Sequence, residues 1–288
     1  MITIYKIPYY LTKKVSRKLK LFKNKNFNKT TKDKLNSKFI SIGLKSGMNL
    51  YVHSSLSSFG YIENGANTVI EVLKSINKNG TIMMPAFTHP KKDFTLNEPC
   101  WTGKIAETFR KEKNVKRSIH PTHSVACYGK FASHLVKDHE KCKAPFDENS
   151  PFAKFSSLNN SYILMLGTEN NSMIHYIQNK INFPNLFLSK IYTFKFKDKI
   201  IKTKLHHPEG AITYIYKAKK CTDVEFLINL YRNEKFEERS LMKTIKIGNA
   251  TCHLIKTREF VDTTIKYLEN NIKRYKKGYS LILKDETN

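Results

Sequence analysis

Three short apolar runs, with segments of helical period among them, constrain the fold of this chain more than any other feature. Leu50-Tyr51-Val52, Thr81-Ile82-Met83-Met84-Pro85 and Tyr162-Ile163-Leu164-Met165-Leu166-Gly167 each read as a buried strand. Between the first two, Val69, Ile70, Val72, Leu73 and Ile76 recur at helical spacing over 66–77. Thr31 is placed to cap a helix over 32–43, with Leu35, Phe39, Ile40 and Leu44 on one face. Further helices are predicted over 104–112, from Asn171 or Ser172 through Met173, Ile174, Ile177 and Ile181, and over about 257–274. Thr251 to Ile255 reads as another strand. Strand alternating with helix predicts an α/β fold rather than a β-sandwich. Residues 1–30 read as a basic arm, part helical through Leu11, Val15, Leu19 and Leu21, and 31–288 as a single domain.

The end of the first strand is the chemically richest segment. His53, Ser54, Ser55, Ser57 and Ser58 crowd donors and acceptors there, with Leu56 among them, and Gly60 and Gly65 permit a tight backbone path. The helix that starts at Gly65-Ala66 offers free N–H groups to an anionic ligand such as a phosphate. The serines lack a GxSxG elbow and an acid partner, so they are read as hydrogen-bonding groups rather than nucleophiles. Residues 86–103 are irregular and hold the only tryptophan, Trp101, and residues 144–152 form a turn-rich loop.

The formal net charge is +27, with many of the lysines in the first 46 residues. Such a charge fits nucleic acid, an anionic membrane surface or anionic small molecules, and a Lys-, Asn- and Ile-rich composition is its bland explanation. No run of about 18 apolar residues predicts a membrane span, and no apolar segment behind the basic N-terminus predicts a secretory signal. Cys100, Cys127, Cys142, Cys221 and Cys252 are scattered and lack a CxxC pair, which predicts reduced thiols in the cytoplasm and no zinc site. Cys127, beside Val125 and Ala126, is read as core.

Several segments, in order, resemble the aminoglycoside N(3)-acetyltransferase family. They are Val52-His53-Ser54-Ser55-Leu56, Gly65 to Ile70, Gly80 to Thr88, Arg117-Ser118-Ile119-His120-Pro121-Thr122-His123-Ser124-Val125-Ala126, Glu148-Asn149-Ser150-Pro151, Leu164 to Gly167, His175-Tyr176-Ile177-Gln178 with Pro184, Gly248 to Leu254, and Arg258 to Asp262. Together they cover roughly residues 32–271. The resemblance implies an α/β/α layered sandwich around a central mixed sheet, distinct from the small GCN5-type acetyltransferase fold, and acetyl-CoA as acyl donor. It implies that the His-Ser-Ser loop (His53, Ser54, Ser55, Leu56, Ser57), with Gly65 and Ala66, and the segment bearing His120, His123 and Ser124 lie beside the CoA arm. A histidine with a glutamate three residues on is the implied general base. The histidine maps to His175, whereas Gln178 stands at the glutamate position.

Acyl transfer to an amine needs a deprotonated amine, a donor held in line and a stabilised oxyanion. His175 is the candidate base, Ser124 or a nearby N–H the candidate oxyanion donor, and Glu148 a contact for the acceptor or support for the base. Gln178 is able only to hydrogen-bond, so base strength falls, Glu148 or Glu209 substitutes for the missing carboxylate, or activity is lost. His120 with His123, and His206 with His207, lack further ligands for a metal, so none is predicted. The expected activity is acyl-CoA-dependent N-acyl transfer to an amine-bearing sugar. The acceptor is either an aminoglycoside or a nucleotide- or lipid-linked sugar of surface polysaccharide synthesis, the latter favoured by the protein's positive charge. The rival reading is a basic nucleic-acid-binding protein without catalysis, although no specific nucleic-acid motif is present. A homodimer and a peripheral contact of the arm with the anionic inner face of the membrane stand as further expectations.

Overall fold

The structure, a computed structural model, describes residues 29–183, 187–206 and 223–270. The predicted arm over 1–30 and the loop bearing His207 and Glu209 lie outside these residues, except that Lys29–Thr30 (β1) pairs in parallel with Tyr61–Ile62 (β3). Between them come helix α1 (Lys32–Ile42) and strand β2 (Asn49–Ser54). Thr31 caps α1 by accepting from the Lys34 N–H at 3.3 Å, and Gly43 closes it in a left-handed conformation. Next follow α2 (Ala66–Ile76), β4 (Thr81–Pro85), α3 (Lys104–Phe109), β5 (Lys116–Arg117), β6 (Val125–Gly129) and α4 (Ala132–Val136). Then come α5 (Pro151–Ser156), β7 (Ser161–Leu166), α6 (Met173–Lys180), β8 (Phe187–Phe196), β9 (Lys199–His206), α7 (Asp223–Asn233), β10 (Met242–Ile247), β11 (Ala250–Lys256) and a helix, α8, over 257–270.

Seven strands form the central sheet in the order β10-β11-β7-β2-β4-β6-β5. The middle three, β7, β2 and β4, are mutually parallel, whereas β10, β11, β6 and β5 pair antiparallel. Because strand side chains alternate between faces, Leu50, Val52, Ile82, Met84, Leu164 and Leu166 point into one core with α1, α2 and α3. Tyr51, Met83, Ile163 and Met165 point into the other, with α4, α5, α6, α7 and α8. Helices on both faces make a three-layer α/β/α sandwich, and they explain why the middle strands read as continuous apolar runs.

Some elements went unread in the sequence. The hairpin β8–β9 lies outside the main sheet and packs Phe194, Phe196, Ile201 and Leu205 against Phe94. The turn-rich loop over 144–152 runs into α5 at its end, where Ser150 caps Ala153 N–H at 3.3 Å and Pro151 takes the first helical position. The helix expected over 104–112 stops at Phe109.

Candidate active site

In an open α/β sheet, ligands lodge beyond the carboxyl ends of the strands where neighbouring connections diverge to opposite faces. Here β2 and β7 end side by side. The chain leaving β2 goes to α2 in one layer, and the chain leaving β7 goes to α6 in the other. A cavity of about 1090 Å³ opens at that divergence. Its walls come from the segment after β2 (Ser54 to Gly65), from both ends of the segment between β4 and α3 (Phe87, Trp101, Lys104), and from the β7–α6 loop with the start of α6 (Thr168 to His175).

The first wall is a 3₁₀ turn, Leu56–Phe59, anchored by fully buried Phe59. Its serines form a small network: Ser58 donates to Ser55 Oγ at 2.8 Å, and the Ser55 and Ser57 hydroxyls lie 3.4 Å apart. Gly167 makes the close approach of the second wall possible. Its φ is +71°, and a Cβ there would lie 2.8 Å from Ser58 Cβ and 3.0 Å from Ala250 Cβ. Past Gly65 a second groove, of about 470 Å³, shares Leu56, Asn64, Gly65 and Lys104 with the cavity and runs along the N-terminus of α2 past Ala66 and Asn67.

Of the residues singled out from sequence, His53, Ser54, Ser55, Leu56, Ser57, Gly65 and His175 line the cavity. His53 is buried beside the Tyr51 ring, and burial followed by the nearby His175 lowers its pKa to about 3, so it is neutral. His175 stands on the first turn of α6, its Nδ1 3.1 Å from Gln178 Oε1. Gln178 itself is fully buried behind the wall, with its Nε2 unpaired among the described residues.

The other candidates sit elsewhere. Ser124, expected to face the thioester, is fully buried and off the cavity wall. Its hydroxyl donates to Ala86 O at 2.7 Å and accepts from Arg117 Nε at 2.9 Å. His120 is also buried off the wall: its Nδ1 accepts the His123 N–H at 3.0 Å and so shapes the Pro121-Thr122 turn, while its ring lies 4.5 Å from that of His139. His123 lies behind the wall, 4.7 Å from the Phe87 ring and 4.9 Å from that of Phe146. Glu148 is exposed on the 144–150 turn and does not reach the cavity. Ala66 borders only the adjoining groove. The resemblance assigned His120, His123 and Ser124 to the CoA arm as one segment, but here that segment turns these side chains away from the cavity wall. Trp101, Lys104, Tyr61, Thr168, Asn170 and Asn171 line the cavity and were missed. The exposed lone tryptophan in a polar, irregular loop was the one available signal.

Arg117 explains its own segment. Its guanidinium donates to the carbonyls of Leu96 (2.8 Å), Glu98 (2.6 Å) and Ala86 (2.8 Å), besides Ser124, and thereby ties down the segment after β4 that carries Phe87 and Trp101. Burial lowers its pKa to about 10, still charged at neutral pH. Arg117→Met leaves those carbonyls unpaired, and the expected loss is about 3–5 kcal/mol of stability. Urea denaturation checks this; a loss below about 1 kcal/mol would mean the segment finds other partners.

Among the described residues no group of three or more His, Cys, Asp or Glu is placed to hold a metal ion, and no helix is long and apolar enough to cross a membrane. The described cysteines, Cys100, Cys127, Cys142 and Cys252, are all buried and free.

A three-layer α/β sandwich with a histidine- and hydroxyl-lined cavity at the ends of its parallel strands offers a site of the kind a group-transfer enzyme uses. The family model for aminoglycoside 3-N-acetyltransferase matches residues 51–269, and the chain belongs to that family. It is accordingly an N-acetyltransferase that uses acetyl-CoA as its donor. The chain is 29% identical over 270 residues to the SPbeta prophage-derived aminoglycoside N(3')-acetyltransferase-like protein YokD of Bacillus subtilis (strain 168), covering 84% of this chain and 93% of that one. It is 26% identical to aminoglycoside N(3)-acetyltransferase IV from Salmonella sp, covering 81% and 85% of the two chains. The crystal structure of YokD from Bacillus subtilis superposes with a TM-score of 0.70 at 26% identity, covering 84% of this chain and 94% of that one. The fold is also that of AAC-IIIb in its binary complex with CoASH, at a TM-score of 0.72 and 18% identity, covering 84% and 97%.

Proposed function

We propose that the protein transfers the acetyl group of acetyl-CoA to an amino group of an amino sugar, with His175 as the general base. The observation that carries this reading is the sharing of one cavity by His175 and the hydroxyl-rich turn after β2. Gln178 accepts through its amide oxygen, so the hydrogen of His175 resides on Nδ1 and Nε2 is the nitrogen able to take a proton. The acceptor ammonium gives a proton to Nε2, the free amine attacks the thioester carbonyl, the C–N bond forms and the C–S bond breaks. CoA leaves as the thiolate and takes up the second proton of the attacking nitrogen, while the proton on Nε2 passes to water. A thioester is activated enough that no acyl-enzyme is required. The serine turn orients the thioester end of the donor. The groove at the N-terminus of α2, with Lys104 beside it, suits the phosphates of CoA.

The names of the relatives support an aminoglycoside acceptor. A second reading has a specific observation in its favour. Among the described residues lining the cavity, Lys104 is the single Lys, Arg, Asp or Glu, so no carboxylate there awaits a polycation. An amine on a nucleotide- or lipid-linked sugar meets no such deficit. Steady-state assays with acetyl-CoA against both an aminoglycoside panel and amino-sugar nucleotides test the proposal. Turnover of either class upholds N-acetyl transfer and selects the acceptor, and turnover of neither rejects the acceptor assignment.

Gln178 sets a further expectation. Gln178→Glu puts a carboxylate against the His175 Nδ1–H, which favours the imidazolium and raises the basicity of the ring. The acid limb of the kcat/KM profile then moves to higher pH, by about one unit. Above that limb, where the base is already unprotonated, kcat rises. An unmoved limb means that His175 is not the group whose titration the profile reports.

A further inference from the structure

The β7–α6 loop, residues 167–172, carries Thr168, Asn170, Asn171 and Ser172 into the cavity wall and leads into the helix of His175. Gly167 and Glu169 are not on that wall. Glu169 instead reaches to β11, where its Oε1 lies 2.9 Å from Nε2 of buried His253. The other ring nitrogen, Nδ1, lies 2.8 Å from Thr244 Oγ1 on β10, and the Thr244 hydroxyl donates to Glu237. A carboxylate accepts only, so His253 Nε2 donates to Glu169. The ring is thus held from both sides, by Glu169 at Nε2 and by Thr244 at Nδ1.

Other ties on the loop are the Gly167 N–H to Thr251 O (3.1 Å), the Asn171 side chain accepting from Met173 N–H (3.1 Å), and the Ser172–Tyr51 hydroxyl pair. Of these ties the Glu169 contact is the one a side chain makes to β11, and it acts at the middle of the loop. The buried atoms around it are polar and short of partners. Glu169 Oε2 has none among the described residues, and the Tyr231 hydroxyl, set against the Asn171 side chain, feels the Glu169 charge. With His253 removed, Glu169 keeps a partly buried carboxylate whose second oxygen is also unpaired, so the loop gains by turning Glu169 out to water.

We propose that Glu169 and His253 are a positioning pair, a latch from β11 that holds the β7–α6 loop so that Asn171, Ser172 and His175 keep their places on the cavity wall. Neither group touches the reacting atoms. Their effect on catalysis rests on the acetyl-transfer reading, whereas their effect on the loop does not.

Hydrogen exchange on the full-length protein tests the latch directly. Glu169→Ala and His253→Gln are each expected to speed amide exchange over 168–175 at least tenfold while leaving β2 and β7 unchanged. The variant Glu169→Gln, which keeps an oxygen to accept from Nε2, is expected to restore most of the protection. In acetyl-transfer assays the same alanine variant is expected to lower kcat about tenfold with KM for acetyl-CoA within twofold. Unchanged exchange over 168–175 overturns the proposal, as does faster exchange spread evenly over β10, β11 and the loop. If the wild-type protein acetylates no acceptor, the function reading fails, and the exchange data still decide for or against the latch.

Discussion

His175→Ala is expected to lower kcat/KM for acetyl transfer by about 10²–10⁴, the usual contribution of a general base, while the affinity for CoA stays within about twofold and the fold is retained. His175 is half-buried on the cavity wall rather than in either core, so its removal creates no deep void. What disappears is a proton acceptor for the ammonium. The loss should therefore shrink at alkaline pH, where the acceptor amine is already free, and the acid limb of the variant should follow the ionisation of the acceptor amine instead. Steady-state kinetics from pH 6 to 10, with CoA binding followed by calorimetry, check this. A loss below about fivefold at every pH would show that the amine is deprotonated elsewhere, in solution or by another group. A loss of CoA affinity matching the loss of rate would instead make His175 a binding residue.

Acid should unfold this protein at a higher pH than is usual for an α/β enzyme. His53, His120 and His139 are buried, and burial holds each in its neutral form, at a pKa of about 3 for His53 and His139 and well below the ordinary value for His120. Once unfolded, each titrates near 6.5. Between these values the unfolded chain binds more protons than the native one. Stability is therefore complete above about pH 6.5 and falls as the pH drops toward the folded values. At 1.36 kcal/mol per unit per group, His53 and His139 each cost roughly 2 kcal/mol on going from pH 6.5 to pH 5. His120 acts in the same direction. Their sum is a large part of the 5–15 kcal/mol typical of a folded domain. The three are also built in: His139 donates to Pro145 O at 3.1 Å and accepts from Ser118 at 2.8 Å, and His120 holds the turn before Ser124. Urea denaturation at pH 7.5 and pH 5.0 should show the difference, and His139→Gln should reduce it. Equal stability at the two values would mean that these rings gain protons without unfolding.

Strand and helix periods explain how much of the fold could be read in advance. The runs at 50–52, 82–84 and 162–166 are apolar at every position because helices cover both faces of those strands. The hairpin over 187–206 does alternate, as in Phe194-Lys195-Phe196 and Ile201 to Leu205, and this period went unread; its packing on one phenylalanine far away in sequence was beyond any local pattern. The site was legible in part. His53 to Ser57 and His175 lie in segments that follow strands, and strand ends are where such sheets bind ligands. Ser124 and His120 were misplaced because the segment bearing them turns its polar groups inward to brace a loop.

From the sequence alone came the strands β2, β4, β7 and β11, most of the helices, the Thr31 cap and the two segments that frame the cavity, since each depends on spacing along a few consecutive residues. Tertiary structure alone decided the strand order, the partners of Arg117 and Glu169, and which histidines face the cavity and which are walled into the core. Those choices hang on contacts between residues up to more than a hundred positions apart, and no local period encodes which distant group will fill a buried polar atom's need for a partner.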